Sequence, residues 1–95
     1  MVHILLLEDD QLCGQLIKQT LLEHRCQVSW ATTLDAAYAY LESEHFDLVL
    51  TDRILPDGDG VELIAYAHDL HYDLPVICLS QLRELDHRIK GLENG

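Results

Sequence analysis

Residues 2–10 read Val-His-Ile-Leu-Leu-Leu-Glu-Asp-Asp, an apolar run that stops abruptly at three acidic residues. A near-continuous run of this kind is typical of a strand buried on both faces of a parallel sheet. Behind it, Cys13, Leu16 and Ile17 recur at helical spacing, with polar residues between them. The opening of the chain therefore predicts a strand followed by a helix.

The same pattern of a strand and then a helix returns three times along the chain. Strands are predicted over residues 26–31, 46–52 and 75–80, and each is followed by apolar residues at helical spacing. Thr32 and Thr33 offer a capping hydroxyl for the helix after the first of these strands. Four consecutive βα units predict a doubly wound α/β fold with right-handed crossovers between parallel strands. The helix of the third unit is expected to bury four apolar residues, namely Val61, Leu63, Ile64 and Ala67.

Composition limits the partners and the location of the protein. The 95 residues suit one domain, and the net charge of −11 disfavours nucleic acid and anionic membranes, which need clustered Lys and Arg. No stretch of the sequence approaches the roughly 20 apolar residues that cross a bilayer. Cys13, Cys26 and Cys78 are widely spaced, and we expect buried thiols in a reducing compartment. Because no signal peptide precedes the first strand, the sequence predicts a cytoplasmic protein.

Acidic residues end two of the predicted strands. Glu8 and Asp9 follow the first strand and Asp52 ends the third, which places all three at the functional edge of a parallel sheet. If these strands are neighbours, each pair of carboxylates at ~4 Å costs roughly 4 kcal/mol at an effective dielectric of about 20. Either a carboxyl group takes up a proton or a divalent cation lies among the oxygens, and Mg²⁺ suits such a site. The alternative is that these acids are solvated and Asp10 merely caps the next helix.

Four ordered motifs carry a resemblance to a known family. Residues 4–10, 47–52, 55–60 and 75–80 resemble, in order and spacing, the motifs of receiver domains in two-component signalling, particularly those of OmpR/PhoB-like transcriptional response regulators. The resemblance implies a flavodoxin-like doubly wound parallel sheet with strand order 2-1-3-4. Residues 91–95 resemble the segment just before the family's fifth strand. The chain is thus expected to be one receiver domain, residues 1–95, that lacks the fifth βα unit and the Lys that follows its strand.

The resemblance also implies roles for the acidic residues. Asp52 would be the phosphoacceptor, taking a phosphoryl group from a phosphohistidine of a sensor histidine kinase. The direct Mg²⁺ ligands would be Asp9, Asp52 and the backbone carbonyl of Ile54, with Glu8 nearby and often acting through water. Metal beside the nucleophile offsets the charge on the transferring oxygens.

Residues after the strands complete the implied site. Ser80 would be the switch hydroxyl that turns toward the phosphoryl oxygens, although it could equally cap the following helix. Pro56 and Gly60 would fix the geometry of the loop that presents Ile54. Gln81 stands where the family favours a small residue, so a bulky amide would restrict access to the phosphoacceptor.

Two further patterns in the sequence resemble metal sites. Residues 57–60 read Asp-Gly-Asp-Gly, but they lack the other ligands of a calcium loop. His68 and His71 are three residues apart, yet the sequence offers no clear third ligand, and solvated histidines are the simpler interpretation. At the end of the first helix, Arg25 replaces the usual Gly of the family, and a left-handed conformation there would cost about 1 kcal/mol.

The sequence therefore leaves two functions open. The first is a Mg²⁺-dependent phosphoacceptor switch, impaired by the missing unit and not an enzyme beyond autocatalytic phosphotransfer and autodephosphorylation. The second is a receiver-like interaction module that is not phosphorylated. In either case residues 75–80 would form an unpaired apolar edge, so we expect a homodimer or an edge-swapped oligomer.

Overall fold

The computed structural model describes residues 1–70 and 73–79. Strands and helices alternate as predicted, with one short hairpin added between the third strand and the third helix. In chain order the elements are β1 (His3–Leu7), α1 (Gln11–Glu23), β2 (Gln27–Ala31), α2 (Leu34–Ser43), β3 (Leu48–Thr51), β4 (Ile54–Leu55), β5 (Gly58–Asp59), α3 (Glu62–Asp69) and β6 (Val76–Cys78).

The main sheet has four parallel strands in the order β2-β1-β3-β6. Because β6 is the fourth of the predicted strands, the expected order 2-1-3-4 is confirmed. β1 lies at the centre, and its last residue, Leu7, pairs with Ala31 on one side and Thr51 on the other. The ends of β1 and β3 are thus adjacent. The antiparallel hairpin of β4 and β5 forms in the stretch where the sequence predicts only turns.

Side chains of β1 point alternately to two hydrophobic clusters, as the pleat of a strand requires. Leu5 and Leu7 pack on the side covered by α2 and α3, whereas Ile4 and Leu6 pack on the side covered by α1. All four are at most 3% exposed. Helices on both faces explain why this strand is an unbroken apolar run.

Two expectations about burial are wrong. Of the four residues expected to be buried, only Leu63 and Ala67 are, whereas Val61, just before α3, is 40% exposed and Ile64 is 48% exposed. Residues 63 and 67 lie one turn apart on the stripe that faces the sheet, and the other two point away from it. Of the cysteines, Cys78 is buried, but Cys13, in the first turn of α1, and Cys26, just before β2, are half-buried.

Local signals at the helix ends are confirmed. Asp10 caps α1 by accepting a hydrogen bond from the Cys13 N–H at 2.9 Å, and Thr33 caps α2 by accepting one from the Ala36 N–H at 3.1 Å. Arg25, after α1, has a φ of 62°. This confirms the expected left-handed conformation, which a residue with a Cβ atom adopts less readily than Gly.

The helix predicted after residue 80, together with Ser80, Gln81 and His71, lies outside the described residues. Among the residues that are described, no helix is long and apolar enough to span a bilayer.

Candidate metal centre

The tips of β1 and β3 bring three carboxylates together. Asp52 is held beside β1 by a hydrogen bond from its backbone N–H to the Leu7 carbonyl at 2.9 Å. Each of Glu8, Asp9 and Asp52 offers a carboxylate oxygen, and these atoms all lie within 4.8 Å of one another. At that separation each pair of charges repels by about 3 kcal/mol at an effective dielectric of 20.

Exposure differs among the three acids. Glu8 is only 3% exposed, whereas Asp52 is half-buried and Asp9 is exposed. Burial raises the pKa of the Glu8 carboxyl, and the negative charge of Asp52 raises it further. Hydrogen bonds from the Cys13 thiol and the Asp10 N–H act in the opposite direction. Glu8 is therefore the acid of this cluster whose ionised form most needs a compensating positive charge.

An oxygen atom of Glu8 shows where such a charge fits. Within the described part of the chain, the buried Oε2 atom of Glu8 has no hydrogen-bond partner. Buried carboxylate oxygens are normally paired, coordinated or protonated. Mg²⁺ accepts a small number of carboxylates and retains water in its other positions, so this donor set fits Mg²⁺. The pocket is compatible with the predicted magnesium site.

The sequence left open that the acids at the strand ends are solvated and that Asp10 only caps α1. Asp10 has the capping role, and the other three acids converge within 4.8 Å, with Asp9 at the exposed side of the cluster. One oxygen of Asp52, Oδ1, accepts the N–H of Arg53 at 2.8 Å. That bond orients the carboxylate at the end of β3.

The loop after Asp52 folds back against the strand that precedes it. Gly60 is buried, and a Cβ atom there would collide with the Asp52 carbonyl oxygen and lie 2.5 Å from Thr51 Oγ1. The Gly60 N–H donates to the Arg53 carbonyl at 2.7 Å. Glycine is therefore required by close approach of the backbone. The exposed Pro56 lies between β4 and β5, at the turn of the hairpin.

Ile54, the predicted carbonyl ligand, begins β4 and pairs with Asp59. Its side chain is 81% exposed, so packing does not explain its position. Ligation by its carbonyl stays a prediction, as do the roles of Ser80 and Gln81.

The contacts of two residues, Asp57 and Trp30, do not follow from the sequence. Asp57 accepts hydrogen bonds from the N–H groups of Leu34 at 2.8 Å and Asp35 at 3.0 Å, at the start of α2. These bonds lower its pKa. Trp30 donates its indole N–H to the Glu8 carbonyl at 2.9 Å. These contacts join residues 22 or 23 positions apart, so no local sequence pattern predicts them.

A doubly wound α/β domain with a carboxylate pocket at its central strand tips defines a class of signalling domain. The model of the response regulator receiver domain matches residues 4–95. The chain therefore belongs to the response regulator receiver family, as the resemblance implied.

Relatives and solved structures agree with this assignment. The transcriptional regulatory protein QseB of Haemophilus influenzae is 37% identical over 94 residues, which are 99% of this chain and 42% of the relative. The non-phosphorylated HemR receiver domain from Leptospira biflexa is 32% identical with a TM-score of 0.74, covering 90% of this chain and 75% of that one. The MaeR response regulator bound to beryllium trifluoride is 26% identical with a TM-score of 0.75, covering 83% and 66%. The chain spans about two fifths of the length of QseB and of the response regulator RppA from Synechocystis.

Proposed function

We propose that this chain accepts a phosphoryl group on Asp52 from a sensor histidine kinase, in a Mg²⁺-dependent reaction. It then acts as a switch within a two-component pathway and not as an enzyme that turns over substrate. The observation that carries the proposal is the convergence of Glu8, Asp9 and Asp52 within 4.8 Å, with Glu8 buried and one of its oxygens unpartnered among the described residues. The MaeR relative, whose structure holds beryllium trifluoride, supports it.

The chemistry assigned to Asp52 is nucleophilic. A carboxylate oxygen forms a bond to phosphorus while the bond from phosphorus to the imidazole nitrogen of the donor breaks. The electron pair of that bond stays on the imidazole nitrogen, which takes a proton from solvent. The hydrogen bond from the Arg53 N–H holds one Asp52 oxygen and leaves the other, Oδ2, for the attack.

The metal would be held by Asp9, Asp52 and the Ile54 carbonyl, with Glu8 acting nearby through water. Bound Mg²⁺ would offset the charge on the transferring phosphoryl oxygens and on the crowded carboxylates. Pro56 and Gly60 hold the hairpin that carries Ile54 against the end of β3. Ser80 would supply the switch hydroxyl, and Gln81 would limit the access of water and small phosphodonors.

The kinase would dock beside the pocket. Leu12 and Leu16 lie one turn apart on α1 and are 69% and 58% exposed, so the helix that follows the acidic residues presents apolar surface next to the centre. We place residues 1–95 in one receiver domain of a cytoplasmic regulator. Control of transcription, the role given by the names of several relatives, would be carried out by parts of the protein other than this domain.

A second candidate function is an interaction module that is not phosphorylated. Within the described residues β6 is an edge strand, paired only with β3. Open edges pair with other chains, so this module would form a homodimer or an edge-swapped oligomer or would bind another protein. Sedimentation at low micromolar concentration tests self-association through this edge, and a compact monomer there contradicts the homodimer and the edge-swapped oligomer.

The phosphoacceptor is tested with acetyl phosphate and Mg²⁺. Intact-mass measurement should show one added phosphoryl group on the wild-type protein, removed by hydroxylamine as expected of an acyl phosphate. Asp52→Asn should accept none, whereas the matched control Asp10→Asn, which preserves a capping side chain, should be modified normally. Equal modification of the Asp52→Asn variant would falsify the assignment. Failure of the wild-type protein to respond to acetyl phosphate or to beryllofluoride would favour the interaction module.

A further inference from the structure

Both the backbone N–H and the backbone carbonyl of Glu8 form hydrogen bonds with residues of β2. Its N–H donates to the Ala31 carbonyl at 3.0 Å, which continues the parallel ladder one residue past the end of β1. Its carbonyl accepts the Trp30 indole N–H at 2.9 Å. Trp30 and Ala31, consecutive residues of β2, thus bind the peptide groups on either side of the Glu8 Cα atom. Glu8 is a candidate metal ligand.

The second of these bonds acts on two ligands at once. The Glu8 carbonyl belongs to the peptide unit that joins Glu8 to Asp9, and that unit is planar. A donor fixed on the carbonyl therefore orients the whole plane, and with it the directions in which both side chains leave the backbone. The pairing of β1 with β2 ends at Leu7 and does not include Asp9. The indole N–H therefore provides a hydrogen bond just beyond the regular bonds of the sheet.

The indole ring is itself held in place. Gly14 is buried on α1, and a Cβ atom at this position would collide with Cζ2 of Trp30 and lie 2.5 Å from its Cε2. On its other side the ring packs against the cluster that contains Ile4 and Leu6. The half-buried Trp30 side chain thus packs against both α1 and this cluster, and these contacts restrict reorientation of its N–H.

We infer that Trp30 is a positioning residue of the metal centre, whose indole N–H aims the Glu8–Asp9 peptide so that both carboxylates face the cation. This inference rests on the proposed function, since it assigns a determinant of Mg²⁺ affinity at the same site. It also makes Trp30, the single tryptophan of the chain, a reporter of metal binding. A tryptophan that only filled space would contribute to stability without affecting the affinity for Mg²⁺.

The test replaces one atom. Since the chain has a single tryptophan, expression in a tryptophan auxotroph with 3-benzothienylalanine changes only Trp30, substituting sulfur for the N–H in a ring of nearly the same shape. Removing this hydrogen bond should raise the Kd for Mg²⁺, measured by titration calorimetry without any phosphodonor, by roughly three- to tenfold. The matched control is 4-fluorotryptophan, which retains the N–H and should leave the Kd unchanged. Equal constants in the benzothienyl and tryptophan proteins overturn the inference.

A second measurement needs no substitution and holds even if the analogue fails to fold. The indole N–H of Trp30 gives a single isolated NMR resonance, which should exchange slowly with solvent and shift on titration with Mg²⁺ alone. The shift should saturate at the calorimetric Kd. An indole signal that exchanges as fast as a free indole, or that ignores saturating Mg²⁺, overturns the inference. If the wild-type protein shows no saturable Mg²⁺ binding, the proposed function is overturned as well. If it binds Mg²⁺ but the indole resonance does not respond, only the role of Trp30 is overturned.

Discussion

The two ends of β1 differ in whether their polar groups have hydrogen-bond partners within the protein. At the amino end, the ring nitrogens of His3 lie 2.9 Å from the His45 carbonyl and 3.0 Å from Ser29 Oγ, and its backbone N–H donates to Asp47 at 2.8 Å. At the carboxyl end, only five residues further on, Glu8 is buried with an oxygen that has no partner in the described structure. One end is closed by internal partners, and the other is left for an external cation.

This contrast separates stability from function along a single strand. Internally satisfied polar groups cost little to bury, whereas crowded unpaired carboxylates oppose folding until something neutralises them. Substitutions at the amino end should therefore change the free energy of unfolding and leave Mg²⁺ affinity alone. Substitutions at the carboxyl end should change both the free energy of unfolding and the Mg²⁺ affinity. Some of them should increase stability, whereas those at the amino end should decrease it.

The largest effect is expected from Phe46→Ala at the closed end. Phe46 is 1% exposed and its ring lies 4.3 Å from the ring of His3, so truncation leaves a cavity beneath the polar network. Urea denaturation should show a loss of about 3–5 kcal/mol in the free energy of unfolding. The folded fraction should bind Mg²⁺ with the wild-type Kd. Leu22→Ala, at a 51% exposed site, is the control and should lose far less. A changed Kd in Phe46→Ala would break the separation of the two ends.

Gly14→Ala should reverse the usual sign of a helical substitution. Alanine normally stabilises a helix interior by about 0.5–1 kcal/mol relative to glycine. Here the new Cβ collides with the Trp30 ring, so we expect a loss of about 1–3 kcal/mol in thermal or urea unfolding. The neighbouring exposed Gln15→Ala should be close to neutral. Stabilisation by Gly14→Ala would show that the indole is free to move.

Asparagine in place of aspartate should have opposite effects at the two ends of β3. Asp52→Asn removes one charge from the acidic cluster and should stabilise the Mg²⁺-free protein by about 1–2 kcal/mol after solvent screening. Asp47→Asn weakens the acceptor of the His3 N–H and should destabilise it by roughly 0.5–1 kcal/mol. Added Mg²⁺ should raise the Tm of the wild-type and Asp47→Asn proteins but not that of Asp52→Asn. Equal signs for the two variants would contradict the comparison.

The smallest effect concerns Asp57, whose pKa is lowered below its ordinary value of 3.8 by the N–H groups of Leu34 and Asp35. A lowered pKa means that the stability contributed by the charge is present above pH 3.8 and is lost as the pH falls through the lower, folded-state pKa. The difference in unfolding free energy between wild-type protein and Asp57→Asn should be constant at neutral pH. It should shrink below pH 3.8. A difference that is independent of pH would show that the charge of Asp57 contributes nothing.

Residues close in sequence account for what could be predicted. The apolar runs located the strands, and the caps at Asp10 and Thr33 follow from hydrogen bonds that span three residues. The left-handed conformation of Arg25 could be expected because the receiver family usually has Gly at this helix end. The convergence of the acids could be anticipated because parallel strands end at one edge.

The amino-acid sequence by itself determined the four parallel strands, the three helices that the structure describes between them, and the identity of the acids at the strand tips. Only the tertiary structure decided that Val61 and Ile64 are exposed, that Asp57 caps a helix earlier in the chain, and that Trp30 holds the Glu8 carbonyl. The reason is that backbone conformation and capping depend on neighbours within a few residues. Which side chain reaches a distant carbonyl depends on strand register and helix packing, and these are set by the whole core at once.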